Sequence, residues 1–132
     1  MTKPINSESL PLVLAVLDNL FFVAKIKEAT LQAGLRLETA RSAAQALAKV
    51  QAARPVILLL DLDATACQPF EIIHQLKADE AFRTIPLLGF VSHVNTGVQE
   101  QARQLGCDRV LARSVFSRDL PRLLQEVAQT NR

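Results

Sequence analysis

Five short apolar runs alternate along the chain with five segments of helical periodicity, and this alternation limits the fold more than any other feature. Short continuous apolar runs are typical of strands buried in a sheet, whereas apolar residues three or four positions apart are typical of helices that cover it. Strands separated by a helix pair in parallel through right-handed crossovers. The pattern therefore predicts a doubly wound α/β domain, with a five-stranded parallel sheet and five helices on its two faces.

The boundaries of the predicted elements follow from these runs and from glycine and proline positions. The predicted strands are 10–17, 35–40, 56–61, 85–92 and 108–113, and the predicted helices are 19–34, 41–53, 69–82, 96–106 and 117–129. Residues 1–9 are expected to form a flexible tail, and residues 10–130 a single domain. The chain has 132 residues and 49% hydrophobic content, which is sufficient for one packed core.

Composition argues against several classes of function. The net charge is +2 without a block of like charge, and the chain has no Trp or Tyr, so a dedicated nucleic-acid surface is not expected. Cys67 and Cys107 have no zinc-ligand spacing. The N-terminal segment lacks the features of a secretory signal, and no apolar run is long enough to cross a bilayer. We therefore expect a cytoplasmic protein that does not contact a membrane.

The working site of a doubly wound sheet lies beyond the carboxyl ends of its strands. In this chain, those ends carry Asp18, Asp61, Val91 or Ser92, and Arg113. Asp61 ends the apolar run of the stretch RPVILLLDLDATACQPFEII, residues 54–73, so the chain passes directly from a buried strand to a carboxylate. These residues are the candidates for function.

The same residues lie in motifs that resemble the receiver domain of two-component response regulators, over roughly residues 10–128. VLDN (16–19) resembles the acidic end of that family's first strand, and the stretch 54–73 resembles the segment around its phosphoacceptor. TIPLLGFVS (84–92) and GCDRVLARSVF (106–116) resemble its fourth and fifth strands, in the same order and spacing. The resemblance implies a flavodoxin-like, CheY-like fold.

The resemblance also implies a site chemistry. Asp61 would be the phosphoacceptor and a metal ligand, Asp18 a second carboxylate ligand, and the backbone carbonyl of Asp63 a third. Oxygen ligands of this kind suit Mg²⁺. Arg113 stands in the position of a phosphate-binding lysine, where it would neutralise the transferred phosphoryl oxygens.

Four positions depart from the family pattern. Leu17 replaces the first acid of the acidic pair, which predicts a weakened Mg²⁺ site unless Asp63 compensates. Val91 replaces a hydroxyl residue and Val110 an aromatic one, which together report phosphorylation in the family, and Ser114 replaces a proline. We interpret the chain as an atypical, pseudo-receiver-like domain that has kept the acceptor and lost the switch.

The function predicted on this basis is that of a stand-alone receiver-like signalling domain in a two-component phosphorelay. It would act by protein–protein interaction and would be no enzyme beyond accepting a phosphoryl group. Its partner would be a histidine kinase or another signalling protein. A homodimer through the last two helices and the last strand is a further expectation.

Two other interpretations use the same residues. DLDAT (61–65) matches the motif of haloacid-dehalogenase-type phosphohydrolases, with Asp61 as nucleophile, Asp63 as general acid and base, and Ser92 in a second motif. Alternatively, Asp18 and Asp61 only satisfy backbone N–H groups at strand ends, in a purely structural interaction domain.

Overall fold

The structure is a computed structural model, and it describes residues 9–93 and 96–131. All of the predicted tail except Ser9 therefore lies outside the described residues. Among the helices of the described part, none combines the length and apolarity required to cross a bilayer.

Five strands and five α-helices alternate through the described residues. The strands are β1 (Leu12–Val16), β2 (Arg36–Ala40), β3 (Ile57–Asp61), β4 (Leu87–Val91) and β5 (Arg109–Ala112). The helices are α1 (Leu20–Gln32), α2 (Ala43–Ala52), α3 (Pro69–Ala78), α4 (Thr96–Leu105) and α5 (Arg113–Thr130). A single 3₁₀ turn, Thr65–Cys67, lies between β3 and α3.

All four strand pairings are parallel, and the strand order is β2-β1-β3-β4-β5. This is the flavodoxin-like order, so the predicted fold class is confirmed. The order reverses between β1 and β3, where a crevice opens at the carboxyl ends of the strands. Asp18 follows β1 and Asp61 ends β3, so the fold places both beside this crevice.

The sheet separates two apolar cores because successive strand residues point to opposite faces. One face packs against α2, α3 and α4 and includes Leu58, Leu60 and Val91. The other packs against α1 and α5 and includes Leu59 and Phe90. Asp61 follows the parity of Leu59, so its side chain belongs to the α1 and α5 side.

The helix termini are set by local hydrogen bonds and by proline. The Asn19 side chain accepts the Phe22 N–H at 3.1 Å and caps α1, and Pro69 opens α3. Helix α3 ends at Ala78, short of the predicted residue 82. Asp79 leaves the helical conformation (φ −102°, ψ 119°), and its carboxylate accepts the N–H of Ala81 at 2.8 Å.

The start of α5 corrects the sequence prediction more substantially. Strand β5 ends at Ala112 and α5 begins at Arg113, whereas the sequence predicted a strand to 113 and a helix only from 117. The cause is Phe116, which is fully buried four positions before Leu120 and extends the apolar stripe of the helix. Arg113 is therefore a first-turn helix residue rather than a strand end.

Gly89 in β4 lies tightly against Leu62, and this contact generates a stability prediction. A Cβ at position 89 would lie 2.8 Å from Cδ1 and 3.0 Å from Cγ of Leu62. We expect Gly89→Ala to lower the free energy of unfolding by about 1–3 kcal/mol, as overpacking does in other cores. Urea unfolding followed by circular dichroism measures the change.

The double variant with Leu62→Ala is the matched control, because it removes all three Leu62 atoms that a Cβ at 89 would meet. In that background Gly89→Ala should cost almost nothing, since the new methyl group enters the space that Leu62 vacates. Equal costs in the two backgrounds would show that the contact does not explain the glycine.

Candidate functional site

Asp61 is the central residue of the site, and it is one of the few polar residues in the core. It ends the middle strand of the sheet and is only 4% exposed. Burial raises the pKa of its carboxyl group, while the N–H of Asp63 and the charge of Arg113 act in the opposite direction. The structure thus places a carboxylate in a largely dry position and gives it two compensating donors.

These two donors contact different oxygens of the Asp61 carboxylate. Oδ1 accepts the backbone N–H of Asp63 at 3.0 Å. Oδ2 lies 3.3 Å from Nη2 of Arg113, in an ion pair whose carboxylate is almost completely buried. The tight turn after β3 and the start of α5 therefore converge on one side chain, and the structure brings the two candidate residues Asp61 and Arg113 together.

The Arg113 guanidinium packs against aromatic rings. Its guanidinium carbon lies 5.5 Å from the ring centre of Phe22 and 5.9 Å from that of Phe90, both within cation–π range. Phe90 stacks on Phe116, with ring centres 4.4 Å apart. Within the described residues, the buried Nε of Arg113 has no hydrogen-bond partner. The planar guanidinium is thus positioned by stacking, for which a lysine ammonium is less suited.

Asp63 does not act as an isolated loop residue. Its Oδ2 accepts the backbone N–H of Ser92 at 2.6 Å and lies 4.0 Å from Nη2 of Arg113. Its backbone carbonyl accepts the N–H of Thr65 at 3.0 Å. The side chain therefore connects the segment after β3 with the end of β4, directly beside the ion pair of Asp61 and Arg113.

Asp18 and Leu17 follow β1 at the same end of the sheet, and they differ in exposure. Asp18 is exposed, and its charge contributes to raising the pKa of Asp61 after the larger effect of burial. Leu17 is 1% exposed within the apolar core on the α1 and α5 side. No group of three His, Cys, Asp or Glu side chains suited to hold a metal occurs among the described residues.

The donor set nevertheless fits a hard divalent cation in type. Two carboxylates, from Asp18 and Asp61, and the carbonyl of Asp63 are all oxygen ligands, which Mg²⁺ accepts together with water. The carbonyl has a second lone pair free besides the one that Thr65 uses. Leu17 offers no ligand, so the set contains less negative charge than a triple-acid site would.

Val91 and Val110 lie on the opposite face of the sheet from Arg113. Val91 is 1% exposed in the core against α2, α3 and α4, and Val110 packs against the same core. Val91 pairs with Ala112, and Val110 pairs with Gly89, so the valines are diagonal neighbours on one face. Ser92 is exposed beyond the strand, and Ser114 lies in the first turn of α5.

Sequence reasoning did not identify three components of the site: the N–H of Ser92 and the rings of Phe22 and Phe90. Backbone donors carry no sequence signal. Parity could have placed Phe90 on the same face as Asp61, because it pairs with Asp61 in register. Only the approach of α1 to α5 brings Phe22 under Arg113.

Comparisons with known proteins agree with the fold. The chain is 24% identical over 115 residues to the polar-differentiation response regulator DivK of Brucella ovis, covering 87% of this chain and 91% of that protein. It superimposes on a CheY-like response regulator receiver domain protein from Methanospirillum hungatei, with a TM-score of 0.77 and 19% identity over 92% of this chain and 96% of the other. The chain has the receiver fold of response regulators. The resemblance seen in the sequence motifs is therefore confirmed.

Another structural neighbour with the receiver fold is the response regulator Rcp1, solved in an Mn²⁺-bound form. Its TM-score is 0.72 and its identity 21%, over 89% of this chain and 91% of that one. No family model matches the chain.

The phosphohydrolase interpretation is not favoured. The relatives are response regulators, and β3 is the third strand rather than the first. The carboxylate of Asp63, which would have to exchange protons as the general acid and base, instead accepts the Ser92 N–H and faces Arg113.

The raised pKa of Asp61 predicts how its charge affects stability. The folded protein binds the Asp61 proton more tightly than the unfolded chain does. The stability that the Asp61 carboxyl group contributes is therefore fully present below its unfolded-state pKa. This contribution is lost as the pH rises through the folded-state pKa. Asp61→Asn removes the buried charge and should therefore raise both the free energy of unfolding and the Tm at pH 7.

Thermal unfolding of both proteins over a pH series checks this. The advantage of Asp61→Asn should shrink as the pH falls towards the ordinary carboxylate pKa, because the wild-type carboxyl then becomes protonated too. Glu80→Gln, at an exposed position, serves as the control and should leave Tm almost unchanged. A lower Tm for Asp61→Asn at pH 7 would contradict the prediction.

Proposed function

We propose that residues 10–130 form a receiver-like signalling module of a two-component system that acts by binding partner proteins, with Asp61 as its phosphoacceptor. The observation that carries the proposal is the buried Asp61 carboxylate, whose Oδ2 faces the Arg113 guanidinium at 3.3 Å at the switch point of the sheet. This pairs a nucleophilic oxygen with a cation that can neutralise an incoming phosphoryl group.

The chemistry follows from these two groups. An Asp61 oxygen attacks the phosphorus of a phosphohistidine, the new O–P bond forms, and the P–N bond breaks with its electron pair remaining on the donor imidazole. Arg113 is 3.3 Å from Asp61 Oδ2 and so lies where negative charge accumulates on the transferred oxygens. The Asp63 N–H holds the other carboxylate oxygen and orients the nucleophile.

We propose that Mg²⁺ binds at Asp18, Asp61 and the carbonyl of Asp63, more weakly than at a site with three carboxylates. When bound, the ion would add positive charge beside the transferred group. The weakening follows from Leu17, which lies in the core against α1 and α5 and supplies no carboxylate to the ion.

The partner should be a protein that presents its phosphohistidine at the carboxyl edge of the sheet. Leu20 and Phe21, in the first turn of α1, are 78% and 93% exposed although both are large and apolar. They follow Asp18 and Asn19 directly, so a docking surface adjoins the acceptor. A homodimer through α4, β5 and α5 stays a prediction.

Labelling by a small phosphodonor tests the acceptor. After incubation with acetyl phosphate and Mg²⁺, intact-protein mass spectrometry should show one added phosphoryl group in the wild type and none in Asp61→Asn. With Mg²⁺ below saturation, Asp18→Asn should label about tenfold more slowly, because one carboxylate next to the cation is lost.

Asp79→Asn is the control for loss of a carboxylate elsewhere, since Asp79 follows α3 at the other edge of the sheet. Labelling that persists in Asp61→Asn would place the acceptor on another residue. A folded wild type that stays unlabelled beside a labelled competent receiver would favour signalling by binding alone.

The apolar side chains of Val91 and Val110 lead to a prediction about which NMR signals change on phosphorylation. Neither Val91 nor Val110 has a polar group to engage a phosphoryl oxygen, and both pack in the core opposite to Arg113. In NMR spectra, labelling should shift the Phe22 and Phe90 ring signals beneath Arg113 more than the methyl signals of the two valines.

The methyl signals of Val50, which is buried in the same core, give the background shift for remote groups. If Val91 and Val110 shifted more than the two rings, the proposal of a degenerate switch would be wrong.

A further inference from the structure

The side chain of Asp63 lies beside the ion pair of the acceptor Asp61 and Arg113. One nitrogen, Nη2 of Arg113, lies 3.3 Å from Oδ2 of Asp61 and 4.0 Å from Oδ2 of Asp63. The same Oδ2 of Asp63 accepts the N–H of Ser92 at 2.6 Å. A carboxylate of the chain itself thus accepts the Ser92 N–H and lies beside the Arg113 guanidinium that pairs with the acceptor.

We propose that Asp63 is an internal anion that closes this phosphoryl-binding position and must leave it before an external anion can bind. The proposal rests on the proposed function, since it concerns how the acceptor Asp61 is reached. A phosphoryl group on Asp61 Oδ2 would place negatively charged oxygens beside the Asp63 carboxylate, and like charges at such distances repel strongly. Arg113 can neutralise one of the two anions fully, not both.

The consequence is an exchange of partners rather than a simple addition. When Asp61 carries a phosphoryl group, Arg113 turns to that group and Asp63 releases the Ser92 N–H. This contact joins the segment after β3 to the end of β4, so its release uncouples these two segments. The chain thereby has a device for reporting phosphorylation that uses neither Val91 nor Val110.

Two substitutions separate charge from hydrogen bonding. Asp63→Asn keeps an oxygen that can accept the Ser92 N–H but removes the negative charge, and Asp63→Ala removes both. Asp79→Asn is the matched control, because Asp79 likewise accepts a backbone N–H, that of Ala81 at 2.8 Å, far from Arg113. Circular dichroism and thermal unfolding establish that each variant is folded.

The first readout needs no phosphorylation. Inorganic phosphate is titrated into each protein without a divalent metal, and amide and arginine signals are followed by NMR. We expect Asp63→Asn and Asp63→Ala to bind phosphate about tenfold more tightly than the wild type and Asp79→Asn. In the wild type, the Ser92 amide should shift as phosphate displaces Asp63.

The second readout is the rate of labelling by acetyl phosphate, which should rise about five- to tenfold in Asp63→Asn. Phosphate affinity and labelling rate that stay at the wild-type value in both Asp63 variants would overturn the proposal. Slower labelling of Asp63→Asn would overturn it too, because Asp63 would then assist the transfer.

The two proposals fail in different ways. If the Asp63 variants bind phosphate more tightly while no protein is labelled, the internal anion stands and the phosphoacceptor function falls. If the wild type is labelled at Asp61 and the Asp63 variants behave identically to it, the acceptor stands and the internal anion falls.

Discussion

The buried carboxylate of Asp61 requires hydrogen-bond donors, and the rest of the site supplies them. A carboxylate that is 4% exposed is costly unless donors replace the water it has lost. One donor is local, the N–H of Asp63 in the turn after β3. The other, the guanidinium of Arg113, comes from the start of α5, far along the chain. This requirement couples the middle strand of the sheet to its last helix.

Arg113 in turn depends on the packing of the α1 and α5 side. Its side chain is only one-third exposed and lies over Phe22 and Phe90, so the stack of rings fixes where its charge is placed. The contacts extend through Phe116 to the helix that begins at Arg113 itself. Charge at the acceptor and packing between two helices are therefore parts of one interaction, while the valines on the other face take no part in it.

The sequence allowed the fold to be predicted because its apolar runs are long and regularly spaced. The run before Asp61 and the runs of β1 and β4 are buried throughout, as parallel strands in a doubly wound sheet require. The prediction was wrong where local signals compete. Helix α3 ends before the predicted residue because the Asp79 carboxylate accepts the N–H of Ala81. Helix α5 begins earlier than predicted, at Arg113, because Phe116 is buried and belongs to its apolar face. Neither effect can be read from propensity alone, because each depends on what the side chain contacts.

By itself the sequence determined the order of strands and helices along the chain, the placement of Asp18 and Asp61 at strand ends, and the apolar character of Leu17, Val91 and Val110. These features follow from the periodicity and identity of neighbouring residues. Only the tertiary structure decided that Arg113 stacks on Phe22 and that the Asp63 carboxylate crosses to the N–H of Ser92. Both contacts join segments far apart in the chain, and the second involves a backbone donor, which every residue except proline possesses and which no sequence pattern marks.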